Sequence, residues 1–411
     1  MDSTLLNLRT ISPMYAPISL AVGVDQACDD YQLLINAFSQ RNERCLPIHA
    51  IHQEQDYKEI DRDTRDNRLL LWQTPSDPDL KVHVFANNIA VVEINLALSD
   101  DNNADELAAL CQEHTKQRMA QVYPLLIADL KRLFEQGNSK QLCFEQAPSS
   151  PNIYWMSRTL ITDAQDLKQP KLQQLLRTWL KDTQRPSDAD DMIEGNLSYS
   201  LSWLNYAITD IQTPSQPTDQ DDPRIGAMVL AQYYYSAQEN CNKLLKQAIN
   251  SAFNSKELSQ SERQLSYSRA VTRLHLIDFH EHKKFLNRYK RKLLDQIMDN
   301  WDFHQLTENS QRMIEVCSSR LEEADNKKRE RSTIMTDLLL VTLSFFAVFE
   351  LSLYLTEFSR EMMSRPALDY NDDQSSIFLE FIAGIDADIM FGLGFGLTFL
   401  LILTYRFIKV R

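Results

Sequence analysis

Residues 338–355 read LLLVTLSFFAVFELSLYL, a stretch of 18 positions in which Glu350 is the only ionisable side chain. A hydrocarbon core of roughly 30 Å is crossed by about 20 apolar residues in a helix. Core helices of soluble proteins rarely run this far with a single charge, so the stretch predicts a membrane-spanning helix. Residues 389–405, IMFGLGFGLTFLLILTY, carry no side chain that is charged at neutral pH and predict a second span.

Charged residues around the two spans predict how they are oriented. The run KKRER stands at 327–331 and three more basic residues lie within 406–411, whereas residues 356–388 hold two basic and eight acidic side chains. Basic residues are concentrated on the cytoplasmic side of membrane proteins. We therefore expect a multi-pass protein of the inner or plasma membrane with both termini in the cytoplasm.

The composition narrows the class of protein further. The formal charge of −14 argues against a nucleic-acid binder, because no basic excess is present to neutralise phosphates. Residues 227–365 contain neither glycine nor proline, which is typical of long helices. The chain has no P-loop, GxSxG or HExxH motif, so we expect neither enzymatic activity nor a bound cofactor.

The first half of the chain alternates between strand-like and helix-like patterns. Asn87-Asn88 separates two apolar strands and predicts a hairpin, because asparagine tolerates the left-handed conformation of a tight turn. The loop QTPSQPTDQDDP at 212–223 marks the end of this domain. Strands are predicted at 18–24, 46–51, 68–72, 81–86, 89–96, 153–161 and 197–209, and helices at 26–39, 104–134 and 170–181.

Two helical patterns follow that loop. One covers 227–253, and a second continues from about 257 to 331 with apolar residues every three or four positions along one face. An unbroken helix of that length would measure over about 100 Å. We expect it to form a stalk that either packs against copies of itself or folds back onto the preceding helix.

The predicted fold class is an α/β cytosolic domain with a long α-helical stalk and a C-terminal two-helix transmembrane hairpin. Its segments are the cytosolic α/β domain at 1–226, the helical stalk at 227–332, the first transmembrane helix at 333–358, an acidic extracytoplasmic loop at 359–385, and the second transmembrane helix with its basic tail at 386–411.

This layout resembles the CorA-type divalent-cation transporters. Ser332-Thr333-Ile334-Met335 occupies the place of the family's Asn-x-x-Met, and Thr356-Glu357-Phe358 stands where the family has Gly-Met-Asn, a tripeptide that this sequence lacks. The resemblance implies a homopentamer in the lipid bilayer that passes cations, magnesium in the family, through a pore lined by the first span. A divalent cation is then the candidate transported or regulatory ion.

The family's register places Ser332, Met335, Thr342 and Phe346 on the pore side. At 100° per residue, other residues of the first span share the same stripe of about 80°. Glu350 is among them, and a carboxylate at membrane depth usually faces a water-filled path or a polar partner. The alternative is that Glu350 hydrogen-bonds to Thr398 or Thr404 and fixes packing only. The full set of predicted pore-lining residues is Ser332, Met335, Leu339, Thr342, Phe346, Glu350, Leu353 and Glu357.

A second functional interpretation stays open. Some CorA-like proteins without Gly-Met-Asn act as ligand-gated membrane effectors of antiviral defence, downstream of nucleotide signals or CRISPR components. That interpretation implies a small nucleotide ligand for the cytosolic domain. A structural membrane anchor without a pore is a third.

Three weaker patterns complete the set of candidates. Gly392 and Gly396 form a GxxxG, which indicates close helix packing and alternatively a hinge. His275, Asp278 and His282 fall on one face of the stalk, where they form either a metal site or a solvated surface. Acidic clusters at 100–101, 188–191 and 219–222 are either cation sensors or solvated loops.

Overall fold

A computed structural model provides the structure of the chain. It describes residues 5–20, 45–47, 68–85, 87–137, 142–183, 185–202, 204–209, 222–254, 258–364, 381, 384, 389, 392–396, 399–400 and 403. The chain divides into two compact units, Met1–Ser319 and Arg320–Arg411.

The first unit is built on one mixed β-sheet. Among the described residues, nine strands form this sheet in the order β2-β3-β4-β5-β1-β7-β9-β8, with β6 paired to the end of β1. Neighbouring strands are antiparallel except for β7 and β9, which are parallel. The strands are β1 Leu5–Leu20, β2 Cys45–Pro47, β3 Leu70–Thr74, β4 Asp77–Val84, β5 Asn87–Ser99, β6 Leu142–Phe144, β7 Ser157–Thr162, β8 Tyr199–Leu201 and β9 Asn205–Thr209.

Helices cover both faces of the sheet. In the described part of the chain they are α1 Ala104–Gly137, α2 Pro170–Trp179, α3 Asp188–Ile193, α4 Pro223–Asn254, α5 Leu258–Phe285, α6 Arg288–Asn300 and α7 Phe303–Ser364. A short 3₁₀ helix, Asp166–Lys168, precedes α2.

The alternating direction of side chains along the strands explains why the sheet has a hydrophobic core on each face. On β5, Val92 and Ile94 join the core formed with α1, α2 and α3, whereas Ile89 and Val91 join the core formed with α4 and α6. Successive strand residues point to opposite faces, so a strand buried on both faces is apolar throughout. The predicted α/β domain is thus confirmed as a mixed-sheet domain, and most of the remaining described chain is helical.

The predicted hairpin at Asn87-Asn88 is confirmed. Strands β4 and β5 pair with Val84 opposite Ala90, and Asn88 has a φ of 59°. The predicted first strand, 18–24, was placed too late, because β1 begins at Leu5. Pro13 and Pro17 obscure this strand in the sequence. They are tolerated because the pairing of β1 with β7 covers only Asn7 to Ile11.

The long segment predicted to be helical over 257–331 is helical where the structure describes it, but the chain breaks twice there. The first break lies between α5 and α6, where the Asn287 side chain accepts a hydrogen bond from the Lys290 backbone N–H at 2.7 Å and caps α6. The second lies before α7, where Asp302 has a φ of 51°. Both α5 and α6 pack against α4, so the segment folds back onto the preceding helix.

The apolar residues of that segment were predicted to share one face, but they divide into buried and exposed residues. Leu265 and Leu293 are buried, whereas Leu274, Ile277 and Tyr289 are exposed. The predicted helix at 26–39 lies outside the described residues.

One helix among the described residues is long and apolar enough to cross a membrane. Its 56-residue segment Phe303–Phe358 contains an 18-residue window with a mean hydropathy of 2.1, and none of that window is buried. The predicted first span, 333–358, falls within it and supports membrane association. The loop at 359–385 and the second span at 386–411 lie mostly outside the described residues.

Candidate functional site

The predicted pore residues occupy one exposed stripe of α7, which we call the Glu350 stripe. Each of its members is helical and exposed. Within the described residues, Glu350 has neither a hydrogen-bond nor an ion-pair partner. The stripe consists of Ser332, Met335, Leu339, Thr342, Phe346, Glu350, Leu353 and Glu357.

A second face of α7 is covered by residues 392–396 of the same unit. The rings of Phe345 and Phe395 meet edge to face with their centroids 6.0 Å apart. Thr356, on the same side of α7, is buried. At 100° per residue, Phe345 and Thr356 lie about 80–100° from the centre of the Glu350 stripe. The covered face and the Glu350 stripe are therefore different surfaces of one helix.

A third face of α7 is exposed and without charge. At 100° per residue it lies about 60–140° from the centre of the Glu350 stripe, on the side away from the covered face. Its members are Leu340, Leu343, Leu351 and Tyr354. An uncharged apolar surface of this kind suits hydrocarbon. At 100° per residue, Glu350 thus lies about 140° from Phe345 on the covered face and about 20° from Leu343, at the border of the apolar face.

The glycines of the predicted packing motif lie at the same contact. A Cβ atom placed on Gly394 would meet Val348 Cγ1 at 3.8 Å, an ordinary van der Waals distance. A Cβ atom on Gly392 or Gly396 would meet no described atom within 4 Å. Residues 392–396 therefore approach α7 through Gly394, the glycine between the two that define the motif. Thr398 and Thr404, the alternative partners of Glu350, lie outside the described residues.

The three candidate metal ligands on α5 have different surroundings. Nε2 of His275 lies 3.4 Å from the Tyr234 carbonyl oxygen, and burial lowers the His275 pKa to about 4. Nδ1 of His282 lies 2.7 Å from the Tyr234 hydroxyl oxygen. Burial, together with the charge of Glu281, raises the Asp278 pKa to about 6. The histidines thus contact α4, and the described chain holds no group of three or more His, Cys, Asp or Glu side chains arranged to bind a metal.

Five of the six carboxylates that the structure describes in the acidic clusters are paired with protein groups. Lys171 Nζ lies 3.0 Å from a carboxylate oxygen of each of Asp100 and Asp101. The Ser200 hydroxyl donates to Asp188 at 2.8 Å, and Asp219 and Asp221 lie outside the described residues. Asp190 pairs with Arg177 at 2.8 Å and Asp222 pairs with Arg224 at 2.6 Å. The exposed Asp191 side chain has no hydrogen-bond or ion-pair partner among the described residues.

A buried charged network on the sheet was missed by the sequence patterns. Glu93 on β5 pairs with Arg9 on β1 at 3.2 Å and with His83 Nε2 on β4 at 3.1 Å. Arg68 lies 2.9 Å from the other nitrogen of that histidine ring. The feature of the sequence that could have predicted this network is the glutamate in the middle of the apolar strand IAVVEINL. The network connects three neighbouring strands.

The described candidate site is therefore a set of side chains on one face of α7. Its distinguishing feature is the Glu350 carboxylate, which lies about 140° from Phe345 on the covered face and borders the apolar face. No protein-family model, curated protein or solved structure matches the chain.

Proposed function

We propose that the protein is a homo-oligomeric membrane channel that passes cations through a pore lined by the Glu350 stripe. The observation that carries the proposal is the position of Glu350. It is exposed on an apolar helix and lies on a different face from the surface that contacts Phe395. The resemblance to CorA-type transporters supports the same assembly, a homopentamer with α7 around the axis.

The cost of placing a charge in lipid favours an assembly of several copies. Insertion scales assign an acidic side chain at the centre of a membrane helix about 2.5–3.5 kcal/mol. A single chain would leave Glu350 in hydrocarbon at that cost. Several copies of α7, with their Glu350 stripes turned towards one another, instead place the carboxylates along a water-filled path.

The side chains of the stripe then account for the selectivity. Rings of carboxylate at Glu350 and Glu357 attract cations and repel anions. Rings of Met335 and Phe346 narrow the path with apolar groups, and such constrictions close by dewetting. The conducted species is a cation, and a divalent cation is the candidate by resemblance.

The finer topology belongs to the same proposal. Residues 386–411 form the second span with its basic tail, residues 359–385 form an acidic loop outside the cell, and both termini are cytoplasmic. The basic residues that flank the two spans support this orientation. The protein is then a multi-pass protein of the inner or plasma membrane.

Reconstitution of the full chain in liposomes tests the proposal. Under a salt gradient, the wild-type protein is expected to give a cation-selective current, and Glu350→Gln to reduce the ratio of cation to anion permeability. Leu351→Ala, which removes side-chain atoms from the apolar face, is the matched control and is expected to keep the wild-type ratio. An unchanged ratio in Glu350→Gln contradicts the pore assignment. A current that requires an added nucleotide would favour a ligand-gated effector.

A further inference from the structure

We propose that α5 carries a second contact between copies of this chain, a parallel pairing of α5 with α5 from a neighbouring copy. The contact surface, which we call the α5 stripe, consists of Tyr267, Ala270, Leu274 and Ile277. This inference deepens the proposed function, since copies anchored in one membrane by the same helix share an orientation.

The burial pattern of α5 shows that the stripe is separate from the core. Leu265, Thr272 and Phe279 are buried and face the rest of the unit. On the opposite side, Tyr267 is 50% exposed, Leu274 49% and Ile277 52%. These three residues are among the large apolar side chains that the described first unit leaves open to solvent.

The spacing of the exposed residues indicates what covers them. Tyr267 and Leu274 are seven residues apart, and so are Ala270 and Ile277. These are the a and d positions of two consecutive heptads, the repeat with which a helix packs along another helix of the same repeat. A second copy of α5 offers that matching surface.

The charges beside the stripe favour the parallel arrangement. Arg273 occupies a g position and Asp278 the e position five residues later. In a parallel pair, a g residue faces the e residue five positions on in the other chain, so Arg273 of one copy meets Asp278 of the next. An antiparallel pair would instead set g against g and e against e. Arg273 is exposed, whereas Asp278 is only partly exposed, so the two charges meet at the edge of the contact.

Two heptads form a short contact that depends on the membrane anchor. Such a surface is weak between free chains. Attachment of every copy to one bilayer or one micelle raises the effective concentration of α5 and lets a weak contact form. The partner is therefore a second copy anchored in the same membrane.

Cysteine cross-linking of the full chain in detergent tests the contact. Identical a residues of parallel helices lie within the distance that a disulfide bridges. Under mild oxidation, Leu274→Cys is expected to give about tenfold more covalent dimer than His280→Cys, which places the thiol on the exposed flank of α5, outside the stripe. The wild-type chain with its own six cysteines sets the baseline. Equal dimer yields from the two variants would overturn the proposal.

Charge reversal tests the direction and register of the pairing. In the Leu274→Cys background, Arg273→Glu alone and Asp278→Lys alone are each expected to lower the dimer yield at least about threefold. The double reversal restores the opposite charges and is expected to recover the yield. A double variant with a dimer yield as low as that of the single variants would refute the pairing. Single variants with the same dimer yield as the Leu274→Cys parent would also refute it.

The α5 contact and the channel are tested separately by adding Glu350→Gln to the Leu274→Cys chain. Dimer yield that persists while the permeability ratio of Glu350→Gln stays unchanged supports the α5 contact and removes the pore assignment alone. A changed ratio together with baseline dimer yield removes the α5 contact alone.

Discussion

The hydroxyl group of Tyr234 on α4 lies 2.7 Å from Nδ1 of His282 on α5, a buried hydrogen bond between residues 48 positions apart. It joins α5 to α4, one of the helices that cover one face of the sheet. We expect Tyr234→Phe to lower the free energy of unfolding by about 1–2 kcal/mol, because the buried His282 ring then loses this hydrogen bond. Urea unfolding of the detergent-solubilised chain measures the change. Tyr289→Phe, at an exposed position, should leave the urea midpoint unchanged within error. A loss of stability there equal to that of Tyr234→Phe would contradict the role given to the Tyr234–His282 hydrogen bond.

His275 makes stability depend on pH. Its pKa is lowered from 6.5 to about 4 by burial, so the folded state favours the neutral ring. The unfolded chain binds the proton more readily, so the contribution of this group is fully present above about pH 6.5 and is lost as the pH falls towards 4. We expect His275→Gln to flatten the loss of stability across that interval in melting experiments. If the stability of His275→Gln falls with pH as steeply as that of the wild type, another group controls the pH dependence.

Glu93 is expected to be the most sensitive position of the buried charged network. Its side chain is 1% exposed and pairs with Arg9, which is 17% exposed. Glu93→Ala leaves the arginine without this partner and should cost about 2–4 kcal/mol, towards the low end because Arg9 keeps some contact with water. Glu113→Ala, at an exposed site on α1, is the control. A loss below 1 kcal/mol in urea unfolding (about the value of a surface pair) would contradict the burial argument.

Asn287 fixes the first break in the helical region. Its side chain accepts a hydrogen bond from the Lys290 N–H at the start of α6. Asn287→Ala is expected to cost about 1 kcal/mol and Asn287→Asp close to nothing, because aspartate caps equally well. Circular dichroism during urea unfolding gives both values. Equal stability of the alanine and aspartate variants would mean that the cap contributes little.

Asp302 fixes the second break through its backbone. A φ of 51° costs an ordinary residue roughly 1 kcal/mol and costs glycine almost nothing. We expect Asp302→Gly to be neutral or slightly stabilising and Asp302→Val to be clearly destabilising. The difference between their melting temperatures measures the effect, and the reverse order would contradict the left-handed conformation.

Part of this fold follows from local sequence. The hairpin at Asn88, helix α1 and the apolar segment of α7 were predicted because each depends on residues close together in the chain. Strand β1 was mostly missed because its two prolines argue locally against a strand, and only the sheet shows where β7 stops pairing. The breaks at Asn287 and Asp302 were missed because neither glycine nor proline marks them.

The same distinction holds for the candidate site. Helical periodicity placed Glu350 and Phe346 on one stripe, because residues of one helix define their own faces. Which face of α7 is covered depends on residues about 50 positions away, such as Phe395, and could not be derived from spacing. The exposed heptads of α5 were visible in the sequence but could not be separated from its buried face until the packing of α4 was known.

Strand β1 has a consequence for how the protein is made. It is translated long before β7, yet Ile11 accepts a hydrogen bond from Ser157, 146 residues later. Until β7 has been synthesised, the edge of β1 from Asn7 to Ile11 has no neighbour, and open edges invite pairing between chains. Contacts of such long range also slow folding. A ribosome that stalls before Ser157 would therefore release a chain prone to aggregate. A chaperone is needed only until β7 has been translated, which happens well before the ribosome reaches the apolar part of α7.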